Sequence, residues 1–327
     1  MDMRSLGSEG LAVSAIGLGG MALSSVYHPI DDEGAHAVID RAIEFGVTHF
    51  DTADVYGAGH NERLFGRALR GHRRSVIVAS KIGQRPNAED GRIVNGSPEY
   101  VHAACDASLD RLGFEFIDLL YLHRIDPQVP IEETVGAMGE LVAAGKVRYI
   151  GLSEAAPATI RRANATHPIT AVQTEYSLWT RFVEADTLPL CEELGIGFVA
   201  YSPLGRGFLT GTIKDEADLS AEDGRRRHPR FQSDAIAHNA KLLEALQDTA
   251  LDHGASSSQI ALAWVLAQGA YIVPIPSTTS VQHLDENTAA THLELTSEEV
   301  SRLNSVFRLD SVVGDRYPER MLKTVQR

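Results

Sequence analysis

Short apolar runs alternate with longer amphipathic stretches along most of this chain. Runs at 15–18, 47–51, 75–80, 117–122, 147–152, 171–174, 197–201 and 271–275 are rich in Val, Ile and aromatic residues with little polar alternation. That is the pattern of parallel strands buried on both faces. The stretches between them carry helix signals. Residues 31–45 begin with Asp31, Asp32 and Glu33, acidic charge that suits a helix N-terminus. Ser97-Pro98-Glu99 supplies an N-cap, a first-turn proline and an acid for a helix running to Leu112, where Gly113 stops it. Segments 61–70, 130–144, 157–165 and 185–194 read the same way, with Gly145 and Gly195 as stops. Strand and helix alternating eight times predict a (β/α)₈ TIM barrel, since right-handed crossovers return each strand parallel to its neighbour.

Outside this repeat the pattern changes. Leu6 to Val13, with Gly7 and Gly10, predicts a β-hairpin capping the barrel floor. After the seventh strand, 205–235 is rich in Gly and Arg and shows no period; a loop of that length is usually functional or unstructured. Helices at 234–253 and 258–268 precede the eighth strand, and a further helix at 297–307 leads into a polar tail. With no internal repeat and no linker, residues 1–327 form one expected domain. A barrel routinely exceeds 250 residues as a single domain.

Bulk properties narrow the partners. A net charge of −14 opposes nonspecific binding to nucleic acid or an anionic membrane, while leaving room for a local phosphate pocket. No apolar run is long enough to span a bilayer, and Met1-Asp2-Met3-Arg4-Ser5 is followed by no signal core, so a cytoplasmic location is expected. Cys105 and Cys191 are then expected to be unpaired buried thiols.

In such barrels reactive groups gather at the C-terminal ends of the strands. Those ends carry Asp51, Lys81, His123, Ser153, Gln173, Tyr201 and Ser277. Four residues make chemical sense together. Tyr56 follows Asp51 by five positions in a loop able to fold its phenol over the rim. A free phenol ionises near pH 10, too high for acid–base work at neutral pH, and an ammonium such as that of Lys81 favours the phenolate. Asp51 is the natural ion-pair partner of Lys81, and His123 can donate a hydrogen bond to a carbonyl oxygen.

The residues that carry this chemistry also carry a resemblance. Phe50-Asp51-Thr52-Ala53-Asp54-Val55-Tyr56-Gly57, Ser80-Lys81 and Leu122-His123-Arg124 resemble the signature segments of the aldo-keto reductase superfamily. Gly151-Leu152-Ser153-Glu154, Gln173 to Ser177, Tyr201 to Gly207, and Pro274 through Asn287 extend it over nearly the whole chain, most closely to the branch containing perakine reductase. The resemblance implies a (β/α)₈ barrel that binds NADPH across its rim and reduces an aldehyde or ketone. It implies Tyr56 as general acid, tuned by Lys81 and Asp51, with His123 orienting the carbonyl. It further implies Tyr201 stacked on nicotinamide, Ser153 and Gln173 on the carboxamide, and Ser202, Leu204 and Arg206 along the pyrophosphate. Ser277 and Thr278 would meet the adenosine phosphate, and Glu286 and Asn287 the adenine.

Two positions depart from the family. Glu154 stands where many members have Asn, and is the weaker cofactor candidate. The stretch from Ser277 to Asn287 contains no Lys or Arg, although a 2′-phosphate prefers a cation; NADPH is the expected cofactor and NADH is possible. Bland readings stand beside these. Asp51 and Lys81 alone read as an ordinary ion pair, His123 as a structural histidine and Tyr201 as strand packing. Trp179 and Tyr176 read either as pocket lining or as packing, and 225–230 as a solvated loop or as one closing over the site. His28, His49, His60 and His102 show no metal-ligand spacing, and no Gly-x-Gly-x-x-Gly follows a strand. The family also contains potassium-channel β subunits, so a cofactor-binding regulatory subunit is the alternative. Specificity for the carbonyl substrate is expected from 26–29, Arg124, Trp179, 206–235 and the tail; substrate, direction and oligomeric state are open.

Overall fold

The computed structural model describes residues 1–27, 29–87 and 91–326. Its strands are β1 (Met3–Leu6), β2 (Leu11–Ser14), β3 (Leu18–Gly19), β4 (His49–Asp51), β5 (Ile77–Ile82), β6 (Gln84–Asn87), β7 (Gly91–Val94), β8 (Ile117–Leu122), β9 (Val147–Ser153), β10 (Ala171–Glu175), β11 (Gly197–Tyr201) and β12 (Ile272–Ile275). Eight of them form one sheet in the order β12-β11-β10-β9-β8-β5-β4-β3, every neighbour parallel. Gly17 N donates to Pro274 O and Gly19 N to Pro276 O, both at 3.0 Å, which ties the two edges together. The result is the expected (β/α)₈ barrel.

The helices are α1 (Asp32–Glu44), α2 (His60–Ala68), α3 (Pro98–Leu112), α4 (Ile131–Ala143), α5 (Pro157–Thr166), α6 (Thr187–Leu194), α7 (Ser233–Asn239), α8 (Leu243–Asp252), α9 (Ser257–Ala267), α10 (Val281–Ala289), α11 (Ser297–Val306) and α12 (Glu319–Leu322). Their ends are set locally. Asp31 accepts from Gly34 N at 2.8 Å to start α1, and Ser97 caps α3, which Gly113 ends at φ 67°. Reciprocal capping boxes, Ser256 with Gln259 and Thr296 with Glu299, open α9 and α11. No helix among the described residues is long and apolar enough to cross a membrane.

Strand alternation divides the core in two. Val78, Leu120, Leu122, Ile150, Leu152, Val172 and Phe198 face outward into the helix layer, while Ala79, Leu119, Tyr121, Ala171, Val199, Val273 and Ile275 fill the barrel. Gly151 makes room for this filling, since a Cβ there would lie 2.6 Å from the Tyr121 ring. The antiparallel β1–β2 hairpin adds Leu6, Leu11 and Val13 to the same inner cluster. Leu6 sits so close to Gly197, at the start of β11, that a Cβ on that glycine would approach its Cα to 2.7 Å. The hairpin therefore plugs the floor, leaving the opposite mouth open to chemistry. Arg4 fastens it by donating to Leu266 O (2.8 Å), Gly269 O (2.8 Å) and Ile272 O (2.6 Å) around the C-terminal end of α9.

The structure differs from the sequence reading in several places. The first barrel strand lies at Leu18–Gly19 rather than 15–18, because Ala15 N is taken by Asp2 O (2.8 Å) and continues the floor hairpin. The single helix expected over 234–253 is α7 and α8, parted by a 3₁₀ turn at Ala240–Leu242. Just before that turn, Asn239 donates to Val313 O and accepts from Val313 N, both at 2.9 Å, which ties α7 to the tail. The β6–β7 pair is unexpected because each strand has only four residues, too few to show a period, and Pro86 argues against a strand. Helix α10 was read only as a cofactor segment, although Ser280 caps it. Cys105 and Cys191 are buried and free, as expected.

His49 lies inside the barrel, wholly buried, and neither ring nitrogen has a hydrogen-bond partner among the described residues. Burial pushes its pKa down to about 4. Between that value and 6.5 an unfolded chain binds a proton that the folded chain refuses, so stability falls as the pH drops through this window. The cost is on the order of 3 kcal/mol at the acid end. Urea unfolding of His49→Leu at pH 4.5 and pH 7.5 is expected to show a smaller acid loss than wild type; equal losses refute this account.

Candidate active site

Alternation places the polar residues. Lys81 lies two positions after Ala79, His123 two after Tyr121, Gln173 two after Ala171, Tyr201 two after Val199 and Ser277 two after Ile275. Each continues an inward row one step beyond the apolar filling. Register aligns these steps around the mouth: Lys81 pairs with Tyr121, Gln173 with Ser153 and Val199, and Tyr201 with Glu175 and Ile275.

Lys81 is the hub. It is 1% exposed, and its ammonium donates to Asp51 Oδ1, to Thr52 O (2.8 Å) and to the Tyr56 hydroxyl (3.4 Å). Burial works against its charge, but Asp51 and the Tyr56 oxygen outweigh it and hold the Lys81 pKa above the ordinary lysine range. Asp51, 2% exposed, also accepts at Oδ2 from Gln173 Nε2 across the barrel at 2.8 Å.

A strained turn delivers Tyr56. Thr52 N and Asp54 N donate to Ala79 O (2.8 Å) and Lys81 O (3.1 Å), carrying the β4–β5 pairing past the strands. Gly57, Ala58 and Gly59 then all take positive φ, turning the chain sharply into α2. Asn61 braces the turn: it accepts from Thr52 Oγ1 (2.7 Å) and donates to Gly20 O (2.8 Å) and Ser24 Oγ (2.9 Å). The Tyr56 ring meets His123 edge-on, with centroids 6.0 Å apart, and the Lys81 nitrogen stands 5.0 Å from the Tyr56 ring centre. The four residues expected to act together do lie together.

The remaining expected residues divide. Ser153 accepts from Arg124 at 3.3 Å. Gln173 is engaged with Asp51, and the Tyr201 hydroxyl donates to Glu154 Oε1 (2.7 Å) and meets the Tyr317 hydroxyl at 2.9 Å. Arg206 is bonded to Glu175 at 2.8 Å. Ser277 Oγ accepts from Ala22 N at 3.0 Å, and Thr278 Oγ1 accepts from Ser280 N at 3.1 Å. Glu286 and Asn287 lie on α10, farther round the rim; the Asn287 side chain is 3% exposed with no hydrogen bond among the described residues. Among the described residues, three of the five non-glycine positions with positive φ, Glu154, Ser202 and Arg206, fall on this side of the mouth, where strain marks a constrained site.

The tail is the part that sequence reasoning underrated. Arg316 forms a buried bidentate pair with Glu154 and lies 4.0 Å from Glu175. Burial alone would raise the Glu175 carboxyl, yet Arg206, Arg316 and Arg230 together hold it below its usual range. His228 Nδ1 contacts Arg316 O at 3.0 Å, Arg230 Nε donates to Gly314 O at 3.1 Å, and Gln326 N donates to Glu154 O at 3.1 Å. Glu154 thus holds the tail. Within 225–230, Arg225 is buried against Asp223 and Arg230 donates to Trp179 O (2.8 Å), so this is not a freely solvated run. Trp179 stacks on Phe208 with centroids 4.0 Å apart, and Tyr176 packs against Phe198 and Trp264; both are core packing. Of the expected specificity segment at 26–29, His28 lies outside the described residues.

Residues 15–308 match the family described as "Aldo/keto reductase family". A probable aldo-keto reductase of Glycine max is 47% identical over 314 residues, covering 95% of this chain and 90% of that protein. Among solved structures, a glycerol dehydrogenase of Gluconobacter oxydans superposes with a TM-score of 0.86 at 27% identity, covering 93% and 94% of the two chains. A thermostable aldo-keto reductase solved with the inhibitor epalrestat gives 0.76 at 32% identity, covering 94% and 100%. A holo-form aldo-keto reductase of Bacillus halodurans gives 0.77 at 29%, covering 94% and 96%.

Asp54, in the loop that carries Tyr56, has a buried Oδ1 with no hydrogen-bond partner among the described residues. Burial, reinforced by Glu62, raises its pKa from 3.8 to about 7. Because the folded state holds this proton more tightly than the unfolded chain, ionising Asp54 costs stability as the pH rises through that range. Asp54→Asn is expected to raise the melting temperature at pH 8, by an amount worth on the order of 2 kcal/mol after discounting its partial exposure, and to change little at pH 4. An equal effect at both pH values refutes this.

Proposed function

The chain belongs to the aldo/keto reductase family and is an oxidoreductase acting on carbonyls, and we propose that it is an NADPH-dependent reductase of aldehydes or ketones with Tyr56 as its general acid. The observation that carries this is the Lys81 ammonium held between Asp51 and the Tyr56 hydroxyl. When bound, a nicotinamide dinucleotide supplies the hydride that the carbonyl carbon accepts. The carbonyl oxygen takes its proton from the Tyr56 hydroxyl, and the adjacent ammonium stabilises the phenolate left behind. Asp51 keeps that ammonium charged and aimed, while Gln173 fixes the carboxylate from the far wall. In this reading His123, packed edge-on against the Tyr56 ring, polarises the same oxygen.

The rim residues fit such a cofactor. Ser153, Gln173, Tyr201 and Ser277 close strands adjacent in the sheet, and the track continues to α10, where the Asn287 amide has no hydrogen bond among the described residues. In this reading Ser153, Gln173 and Tyr201 hold the nicotinamide end, and Ser202, Leu204 and Arg206 the pyrophosphate. Ser277, Thr278, Glu286 and Asn287 hold the adenosine end. Arg41, the cation that reaches α10 from α1, is already bonded to Asp285 at 2.9 Å and to Glu44. Weak discrimination for the 2′-phosphate follows.

Two outcomes test the proposal. Tyr56→Phe is expected to lower kcat for aldehyde reduction by roughly 10³-fold, while NADPH affinity, read by protein fluorescence, stays within about twofold. Lost affinity would mean that the phenol serves binding instead. Side-by-side kinetics are expected to favour NADPH over NADH, but by less than ~100-fold, since residues 277–287 offer the phosphate no Lys or Arg. Tight dinucleotide binding with no turnover across a broad carbonyl panel would point to a regulatory subunit.

A further inference from the structure

Arg124 follows His123 at the end of β8, with 8% of its surface exposed. It donates to His123 O (2.6 Å) and to Ser153 Oγ (3.3 Å) and makes no other hydrogen bond among the described residues. Five N–H groups make up a guanidinium, so most of this one is unused, and none of its nitrogens is both sealed from solvent and unbonded. Tyr201, Tyr317, Glu154 and Tyr56 are near enough to act on its charge.

The nearby carboxylates are taken. Glu154 is held bidentate by Arg316 and accepts from Tyr201, and Glu175 is bonded to Arg206. Asp126, two residues on, accepts from Gly96 N and Gln128 N instead (both 2.9 Å). Burial opposes the Arg124 charge, but the surrounding oxygens keep it firmly protonated. A buried cation with no carboxylate bonded to it is costly and is seldom kept unless something supplies one.

We propose that Arg124 is the anion subsite of this reductase, taking a carboxylate on the carbonyl substrate and so selecting oxo- and formyl-carboxylic acids. This rests on the reductase reading above. Arg124 adjoins His123 and shares Ser153, so an anion paired with it sits beside the carbonyl that Tyr56 protonates. Hydride goes to the carbonyl carbon and the proton to its oxygen, and the carboxylate takes no part beyond binding. Its planar fork suits bidentate capture of such a group.

The test compares 3- and 4-carboxybenzaldehyde with their methyl esters, which have nearly the same shape without the charge. Wild type is expected to favour one of the acids over its ester by at least ~10-fold in kcat/KM, mainly through KM. Arg124→Gln is expected to bring that ratio to about one, and Arg124→Lys to restore part of it. Benzoate, which cannot be reduced, is expected to raise the melting temperature of the wild-type NADPH complex and not that of the Arg124→Gln complex. A wild-type ratio near one for both acids, an equal loss on acid and ester, or a loss confined to NADPH affinity overturns the proposal. If no aldehyde is reduced, the reductase reading fails instead, and the benzoate shift alone decides the subsite.

Discussion

A lysine ammonium sealed in the mouth of the barrel governs what is built around it. A buried charge is tolerable only when its hydrogen bonds are supplied. Lys81 finds them in Asp51, the Thr52 carbonyl and the Tyr56 hydroxyl. Each partner comes from a different constraint: Asp51 from the end of β4, Thr52 from continued strand pairing, and Tyr56 from a strained turn held by Asn61. The charge therefore orders the loop, and the loop presents the phenol. Gln173 completes the arrangement from the opposite wall, so the pair is tied across the full width of the barrel.

The rim on the other side is built on a second balance of charge. Glu154 and Glu175 are fully buried carboxylates, and each survives there because arginines from distant segments reach it. Arg316 comes from the tail, Arg206 from the loop after β11. Removing one partner would leave the other uncompensated, which makes tail and loop cooperative parts of one surface. Tyr201 joins them through its contacts with Glu154 and Tyr317.

Much of the barrel was legible in the sequence because its information is local. Periodicity and strand-end polarity predicted the rows that carry Lys81, His123 and Gln173, and proline and glycine punctuation predicted α3 to within a residue. What could not be read depends on contacts distant along the chain. Nothing near Arg316 announces a partner 162 positions away, and Asn239 gives no sign that it bonds a backbone 74 residues on. The β6–β7 strands, four residues each, are too short to show a period. Gln173 was assigned to a cofactor on family grounds, and its bond to Asp51 needed the closed barrel to appear. A flanking pattern did exist for the tail: Arg316-Tyr317 stands between Gly314-Asp315 and Pro318, a cationic and aromatic pair framed by turn formers.

The stitching of the tail to Glu154 has an evolutionary reading. The Lys81 cluster hangs from β4, β5 and β8, whereas Arg316, Tyr317 and Gln326 are moored to Glu154, just after β9, and to Tyr201 at the end of β11. Exchange of the last dozen residues can remould one bank of the opening without disturbing the lysine and phenol on the other. Descendants of such a scaffold inherit their chemistry intact and diverge in what they admit.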